Sequence, residues 1–466
     1  MSLVLLIDFG STYTKVTAVD REARALLGTA AAYTTVATDI NEGLEKALAD
    51  LQAMLPAADL KSAQRFACSS AAGGLRMVTS GLVPALTAEA ARLASLGAGA
   101  KVVKVFSYEL TEEDIEEIDS LRPDIFLLTG GTDGGNKACS LHNAAMLARC
   151  KRQFPILIAG NRSCAKECET LLAGREVYRC ENVMPRMNQL NIEPVQNKIR
   201  EIFLHKIIQA KGLSQARELI SGILMPTPAA LLAAMELLAK GTAGQEGLGD
   251  LMAVDLGGAT TDVYSMAQGL PQSEDTVMKG LPEPYAKRSV EGDIGMRYSA
   301  GGILAAAGAD KLAVLSGLSP GEVEELVDYV GSHTDVLPQS PGADPRLAAL
   351  DFALAAAAVE TAVTRHAGSL EQIYTPMGLS YIQTGKDLRD IKQLVATGGA
   401  IIHTENTAAI INRALYSQDN PFSLKPKKVN VFIDRRYILS AMGLLADKDP
   451  DCALAIMREE LEFHGA

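Results

Sequence analysis

The sequence predicts an α/β protein of two related halves, each opening on a strand–turn–strand segment, with a smaller α/β module nested in the first half. Three observations lead there. Two strand ends carry an aspartate followed by small and hydroxylated residues, Asp8-Phe9-Gly10-Ser11-Thr12-Tyr13-Thr14-Lys15 and Asp255-Leu256-Gly257-Gly258-Ala259-Thr260-Thr261-Asp262. Between them, from 101 to about 185, short apolar runs alternate with helical patterns, as in a parallel sheet. The length, 466 residues, suits two or three domains.

The elements follow in order. Residues 3–9 form a continuous apolar run, Gly10-Ser11-Thr12 a turn, and 15–20 the returning strand. A helix is expected over 41–55, stopped by Pro56, then a small-residue segment at 66–75 and an alanine-rich helix near 87–96. In the nested module (101–185), strands are expected at 102–106, 125–129, 156–159 and 177–180, with helices at 112–121, 137–149 and 165–172. Its glycine-rich turn, 130–135, follows a strand and opens a helix, where amides can hold a phosphate. Glycines there also serve tight turning alone, and the turn contains neither GxGxxG nor GxxxxGK[ST].

An amphipathic helix at 193–211 leads to another at 229–240. Residues 241–249 read as a flexible connector, dividing a first lobe (1–245) from a second (250–438). The second hairpin, 251–256 with 262–266, follows at once. Beyond it lie helices at 302–308, 322–330 and 346–366, strand 393–396, turn Gly398-Gly399, helix 405–413, strand 429–433 and helix 437–445. Residues 439–466 are expected to return to the first lobe.

Charge and cysteine usage exclude several function classes. Lys+Arg 44 against Asp+Glu 56 gives a net charge of −12, which repels nucleic acid and anionic membranes, so neither is an expected partner. Backbone amides can still build local anion sites. The seven cysteines are sparse and odd in number, and with no secretory signal they suit a reducing cytoplasm. Cys164 and Cys168 lie i,i+4 on a helix without a CxxC or a His partner, and read as core residues. The apolar stretches 223–239 and 350–363 are broken by prolines or acids, so neither is expected to span a bilayer.

The two aspartate turns suggest a phosphate clamp. A triphosphate needs close backbone approach, which glycine permits, together with N–H and hydroxyl donors. Its magnesium needs carboxylates, bound directly or through water. One such turn is weak evidence. Two in order, followed by a strand–turn–helix at Val395-Ala396-Thr397-Gly398-Gly399-Ala400, are strong.

These three segments resemble the phosphate-1, phosphate-2 and adenosine motifs of the actin, Hsp70 and sugar-kinase ATPase superfamily, over the whole chain. Residues 226–240 look like its first connecting helix, and 440–445, with Ala441 and Gly443, like its second. The resemblance implies an α/β, two-lobed actin-like ATPase with ribonuclease H-like halves, binding ATP and Mg2+. It implies that Asp8 and Asp255 position the metal through its waters, and that Gly10, Ser11, Thr12 and Lys15 hold the β/γ-phosphates. Gly257, Gly258, Thr260 and Thr261 would close from the opposite jaw, with Gly398, Gly399 and Ala400 beside the adenosine. One departure stands out: where Hsp70-like members carry an acidic or amide residue to orient water, this chain has Met225-Pro226-Thr227-Pro228-Ala229. That favours slow hydrolysis, with Asp262 the next water-orienting candidate.

Three further segments, Ala71-Ala72-Gly73-Gly74-Leu75, Thr129-Gly130-Gly131-Thr132-Asp133-Gly134 and Val290-Glu291-Gly292-Asp293-Ile294-Gly295-Met296-Arg297, are similar to the MutL/GlmL accessory-protein family. That family is associated with adenosylcobalamin-dependent glutamate mutase and is distinct from the mismatch-repair protein of similar name. The implied function is a chaperone-like reactivating ATPase whose partners are mutase subunits, with a homo-oligomer open. Glu291, Asp293 and Arg297 form a charged cluster fit either for nucleotide or hinge contact or for solvent. The nested module suits docking; it lacks the DxHxxG signature of cobalamin-binding subunits, so no direct cobalamin ligation is expected. A small-molecule kinase of the same fold, with Asp262 as base, and a non-enzymatic actin-like scaffold are the alternatives. An iron–sulfur activator is disfavoured by the scattered cysteines.

Overall fold

The computed structural model describes residues 2–10, 12–34, 40–70, 74–204, 223–376 and 378–465. They form two compact units, unit 1 from Met1–Ala234 with Leu439–Ile456, and unit 2 from Met235–Ile438 with Met457–Ala466.

Unit 1 begins with an antiparallel meander of β1 (Leu3–Phe9), β2 (Tyr13–Asp20) and β3 (Ala25–Tyr33). After the helix Ile40–Met54, β4 (Gln64–Ser69) pairs parallel with β1. Strand β1 is thus central and covered on both faces, which is why its sequence is a continuous apolar run and Leu5, Leu6 and Ile7 are fully buried.

The chain then makes an excursion through β5 (Arg76–Gly81), β6 (Lys101–Ser107), β7 (Ile125–Leu128), β8 (Ile156–Ile158) and β9 (Val177–Arg179). These make an all-parallel sheet of order β6-β5-β7-β8-β9. Val78, Phe126, Leu128, Ile156 and Ile158 pack there with Ile118, Leu147 and Cys168. The sheet thus takes in a strand that the sequence pattern, read from 101, leaves out. Arg76–Gly81 shows no apolar run beyond Met77 and Val78, and becomes a strand because tertiary packing buries even Thr79 and Ser80. Strand β10 (Ile223–Pro226) ends the excursion, parallel to β4.

In unit 2, β11 (Leu251–Leu256) and β12 (Thr261–Met266) form the second hairpin. Strand β13 (Thr276–Lys279) belongs to a small separate sheet, and β14 (Ala286–Glu291) pairs antiparallel with β12. The helix Leu347–His366 is long and apolar enough to cross a membrane, but most of it is buried in this unit's core. Strands β15 (Ser369–Thr375) and β16 (Gly378–Thr384) complete the small sheet. Strands β17 (Gln393–Thr397) and β18 (Asn430–Ile433) extend the main sheet in parallel from β11, and β19 (Glu462–Phe463) closes its edge.

The order β3-β2-β1-β4-β10 in unit 1 therefore matches β14-β12-β11-β17-β18 in unit 2, with the same sense at every pairing. Two ribonuclease H-like halves of one topology are the actin-like ATPase fold.

The passage between units differs from the sequence expectation. It falls inside the helix Thr227–Lys240, at Ala234, and not in 241–249. The glycines of 241–249 close a tight turn, Thr242 N–H to Gln245 C=O at 2.8 Å, which folds back so that Leu248 N–H meets Leu238 C=O. The C-terminal segment also divides: 439–456 lies in unit 1, while 457–466 stays in unit 2, where Phe463 packs on Phe432.

Within unit 1, a Cβ on Gly443 would lie 1.8 Å from the Ala230 carbonyl oxygen, so the helix Leu439–Ala446 and the first turns of Thr227–Lys240 meet backbone to backbone. Gly443→Val should cost about 3 kcal/mol, read as a lower thermal midpoint.

In unit 2, Lys386 is 1% exposed and its Nζ donates to the carbonyls of Ala267 (2.8 Å) and Tyr285 (2.7 Å). Burial pushes this ammonium down to about 7. The unfolded chain keeps the proton to about pH 10.4. The unfolded state therefore binds more protons over that interval, and stability rises with pH across it. Denaturant melts at about pH 7 and about pH 9.5 should show wild type gaining relative to Lys386→Met; parallel responses would contradict this.

Candidate functional site

The first turn follows from where β1 ends. Asp8 faces Lys15 on β2 and Cys68 on β4. Gly10 donates its N–H to the Tyr13 carbonyl at 3.1 Å, closing the turn, and the Thr12 carbonyl accepts from Thr34 N–H. Ser11 lies outside the described residues. Asp8 is 6% exposed. Its Oδ1 accepts from Thr227 Oγ1 at 2.6 Å and from Cys68 Sγ at 3.5 Å, and its Oδ2 from Ser440 Oγ at 2.9 Å. Burial, followed by the charge of Asp8, pushes the Cys68 thiol well above its ordinary range, so it is a donor and not a thiolate.

The second turn repeats the construction. Asp255, half-buried, faces Asp262 on β12 and Thr397 on β17. Gly257 N–H donates to the Thr260 carbonyl at 2.9 Å. The Gly257 carbonyl accepts from Met296 N–H, and that of Gly258 from Arg297 and Tyr298 N–H. The hydroxyls of Thr260 and Thr261 are engaged internally, with Asp262 Oδ2 (3.2 Å) and the Ile294 carbonyl (2.9 Å). Asp262 itself accepts from Arg288 Nε at 2.7 Å in a buried ion pair. Both of its oxygens are thereby engaged, Oδ1 by the Arg288 guanidinium and Oδ2 by the Thr260 hydroxyl.

At the third motif, Gly398 has φ +102° and a Cβ there would lie 2.2 Å from the Leu256 carbonyl oxygen. Glycine lets the end of β17 lie against the end of β11, so that this turn and the Asp255 turn share one edge of unit 2. Gly399, exposed, and Ala400, half-buried, open the short helix Gly399–Ile402.

The charged cluster near 291–297 divides. Arg297 is buried and paired in two-pronged fashion with Asp351 at 3.0 and 2.7 Å, and its Nε donates to the Val336 carbonyl. Glu291 pairs with Arg365 at 2.5 Å, and Asp293 is exposed. In the nested module, Asn161 accepts from Gly134 N–H and donates to the carbonyls of Gly135 and Asn136, while Asn182 donates to the Gly131 carbonyl and to Asp133. The glycine-rich turn is braced by its neighbours. Cys164 and Cys168 sit in the module's apolar core, where burial pushes the Cys168 thiol up to about 12.

Among the described residues no three His, Cys, Asp or Glu side chains group as metal ligands. The donors at the turns are isolated carboxylates, which fit a cation that keeps its waters and takes most other oxygens from phosphate, as Mg2+ does.

The model of the MutL protein family matches residues 4–461. Protein MutL of Clostridium tetanomorphum is 47% identical over 463 residues, 99% of each chain. This chain belongs to the MutL protein family. Among solved structures, the activator of 2-hydroxyisocaproyl-CoA dehydratase from Clostridium difficile, with bound ADPNP, aligns over 100% of both chains at 9% identity and a TM-score of 0.31. Xylulose kinase from Bifidobacterium adolescentis aligns over 100% of this chain and 96% of its own at 12% identity and 0.32. Likeness of that degree says nothing of activity; the repeated strand order defines the fold.

Thr227, Ser440, Cys68 and Arg288 carry contacts that the motifs did not assign. Thr227 had a signal, as the residue standing in a segment that departs from the Hsp70 pattern; Arg288 had none, since its partner is 26 positions away. Arg288→Ala leaves Asp262 buried and unpaired, and should cost about 3–5 kcal/mol. Replacing both by apolar residues, Asp262→Leu with Arg288→Met, should recover most of the loss in denaturant melts.

Proposed function

We propose that this MutL-family chain binds ATP with magnesium through its two aspartate turns, hydrolyses it slowly, and acts as a chaperone-like accessory protein for an adenosylcobalamin-dependent mutase of the glutamate mutase type. One observation carries the nucleotide reading: both units end their central strand in an aspartate followed by a turn closed by the same glycine N–H bond, to Tyr13 in one and Thr260 in the other. A strand-end carboxylate beside such a turn suits a hydrated cation and phosphate oxygens together.

In this reading Asp8 and Asp255 orient the waters of Mg2+, which when bound neutralises charge on the phosphates. Gly10, Ser11, Thr12 and Lys15 hold the β/γ-phosphates, Gly257, Gly258, Thr260 and Thr261 shape the second turn, and Gly398, Gly399 and Ala400 admit the adenosine. Nucleotide-driven lobe closure then needs ATP and ADP to differ in the contacts they make with the chain, and the γ-phosphate is that difference. The engagement of Asp262 by Arg288 supports slow hydrolysis over kinase chemistry. The mutase partner rests on the family resemblance, and the sparse free cysteines suit the cytoplasm.

Calorimetric titration of wild type with ATP and Mg2+ should show binding, weakened about tenfold or more in Asp8→Ala and Asp255→Ala. Immobilised chain should also retain glutamate mutase subunits differently with ATP and ADP. Absence of nucleotide binding by wild type would overturn the ATPase reading, and equal retention in both states the chaperone reading.

A further inference from the structure

The carboxylate of Asp8 is fixed from two directions by hydroxyls on the helices at two of the three passages of the chain between units. Thr227 is the first residue of the helix Thr227–Lys240, and Ser440 the second of Leu439–Ala446. The first helix carries the chain out of unit 1 after Ala234, and the chain re-enters unit 1 at Leu439, one residue before Ser440. Both contacts lie within unit 1, at 2.6 and 2.9 Å.

The sequence makes Thr227 a rigid donor. It stands between Pro226 and Pro228, the second proline pre-set for the first helical turn, and its branched side chain has few rotamers. Ser440 is 5% exposed and Cys68 is fully buried, so neither is free to turn toward solvent. An ionised carboxylate offers about four lone-pair sites. Oδ1 already accepts twice, from Thr227 and Cys68, and Oδ2 once, from Ser440. Among the described residues, the acceptor capacity that remains is on Oδ2.

We infer that Thr227 and Ser440 are positioning residues for Asp8: they fix its carboxylate so that Oδ2 is presented to the hydrated magnesium of a bound nucleotide, and they tie that contact to the helices at two of the chain's three passages between units. The inference rests on the nucleotide reading above. A cation that draws on Oδ2 competes first with Ser440, and any turn of the carboxylate also alters the Thr227 bond. One metal contact is thereby felt at the N-terminus of both helices, a difference in contacts of the kind a nucleotide-driven switch needs.

The test measures the Mg2+ concentration giving half-maximal ATP binding in the full chain. Thr227→Val and Ser440→Ala should each raise it about tenfold, while Thr227→Ser, which keeps the hydroxyl, should stay within about twofold of wild type. In an Asp8→Ala background neither change should weaken binding further, because both act through Asp8. Hydrogen exchange adds a readout: protection induced by Mg2+-ATP over 227–234 should be lost in Thr227→Val, and that over 439–446 in Ser440→Ala. An unchanged Mg2+ requirement in both variants, or losses that add in the Asp8→Ala background, would overturn the inference while leaving the nucleotide reading intact. Should Thr227→Val fail to fold, Ser440→Ala carries the comparison alone. A wild type that binds no nucleotide would overturn the nucleotide reading instead.

Discussion

A charged carboxylate has to be delivered to the end of a strand that is otherwise buried on every side, and each half of the molecule is arranged around that constraint. Strands β1 and β11 are central, flanked by an antiparallel and a parallel neighbour, so they can reach their ends only as apolar runs. Asp8 and Asp255 are the first charges those runs permit. The chain must then reverse immediately, because the following strand pairs back from the aspartate itself, Asp8 with Lys15 and Asp255 with Asp262. A turn this short is closed by one glycine N–H bond.

The halves share that backbone and differ in how they handle charge. In unit 1 the residue opposite the aspartate is Lys15, and Asp8 is held by neutral donors. In unit 2 it is a second acid, and like charges directly opposite across a strand pair destabilise it. Arg288 resolves the conflict from the next strand, binding Asp262 in a pair whose side chains are 3% and 9% exposed. The Arg288 guanidinium therefore sits within unit 2's sheet as part of its construction, and Asp255 lies half-buried at the edge. Two turns of matching geometry thus offer chemically different surroundings to their aspartates.

The parts legible in the sequence were those written locally. The strand-end aspartates, the hairpins they begin and the long alanine-rich helices follow from apolar runs, turn residues and helical spacing within short windows. Arg76–Gly81 and Ala25–Tyr33 were not legible. The first is mostly small and polar, and the second is alanine-rich and shows no alternating strand pattern; both are strands because neighbouring strands pair with them. The partners of Asp8 were hidden for the same reason. Thr227 and Ser440 are 219 and 432 positions away, and no local rule joins a hydroxyl at a helix start to a strand end so distant.

The family-like segments teach a related lesson about where chemistry resides. The glycine-rich turn 130–135 reads either as an amide site for phosphate or as tight turning alone, and in the structure Asn161 and Asn182 bind its Gly134 N–H and its Gly131 and Gly135 carbonyls. The cluster of Glu291, Asp293 and Arg297 reads as fit either for nucleotide or hinge contact or for solvent, yet Arg297 spends three nitrogens on Asp351, Val336 and Met296, and amides of this segment hold the carbonyls of Gly257 and Gly258. Both segments are braces, and the second braces the Asp255 turn itself. A brace must match its neighbour atom for atom, so it can mark a lineage as firmly as a ligand-binding residue does. The chemistry is better sought where a buried charge keeps acceptor capacity, and among the described residues Oδ2 of Asp8 accepts only from Ser440.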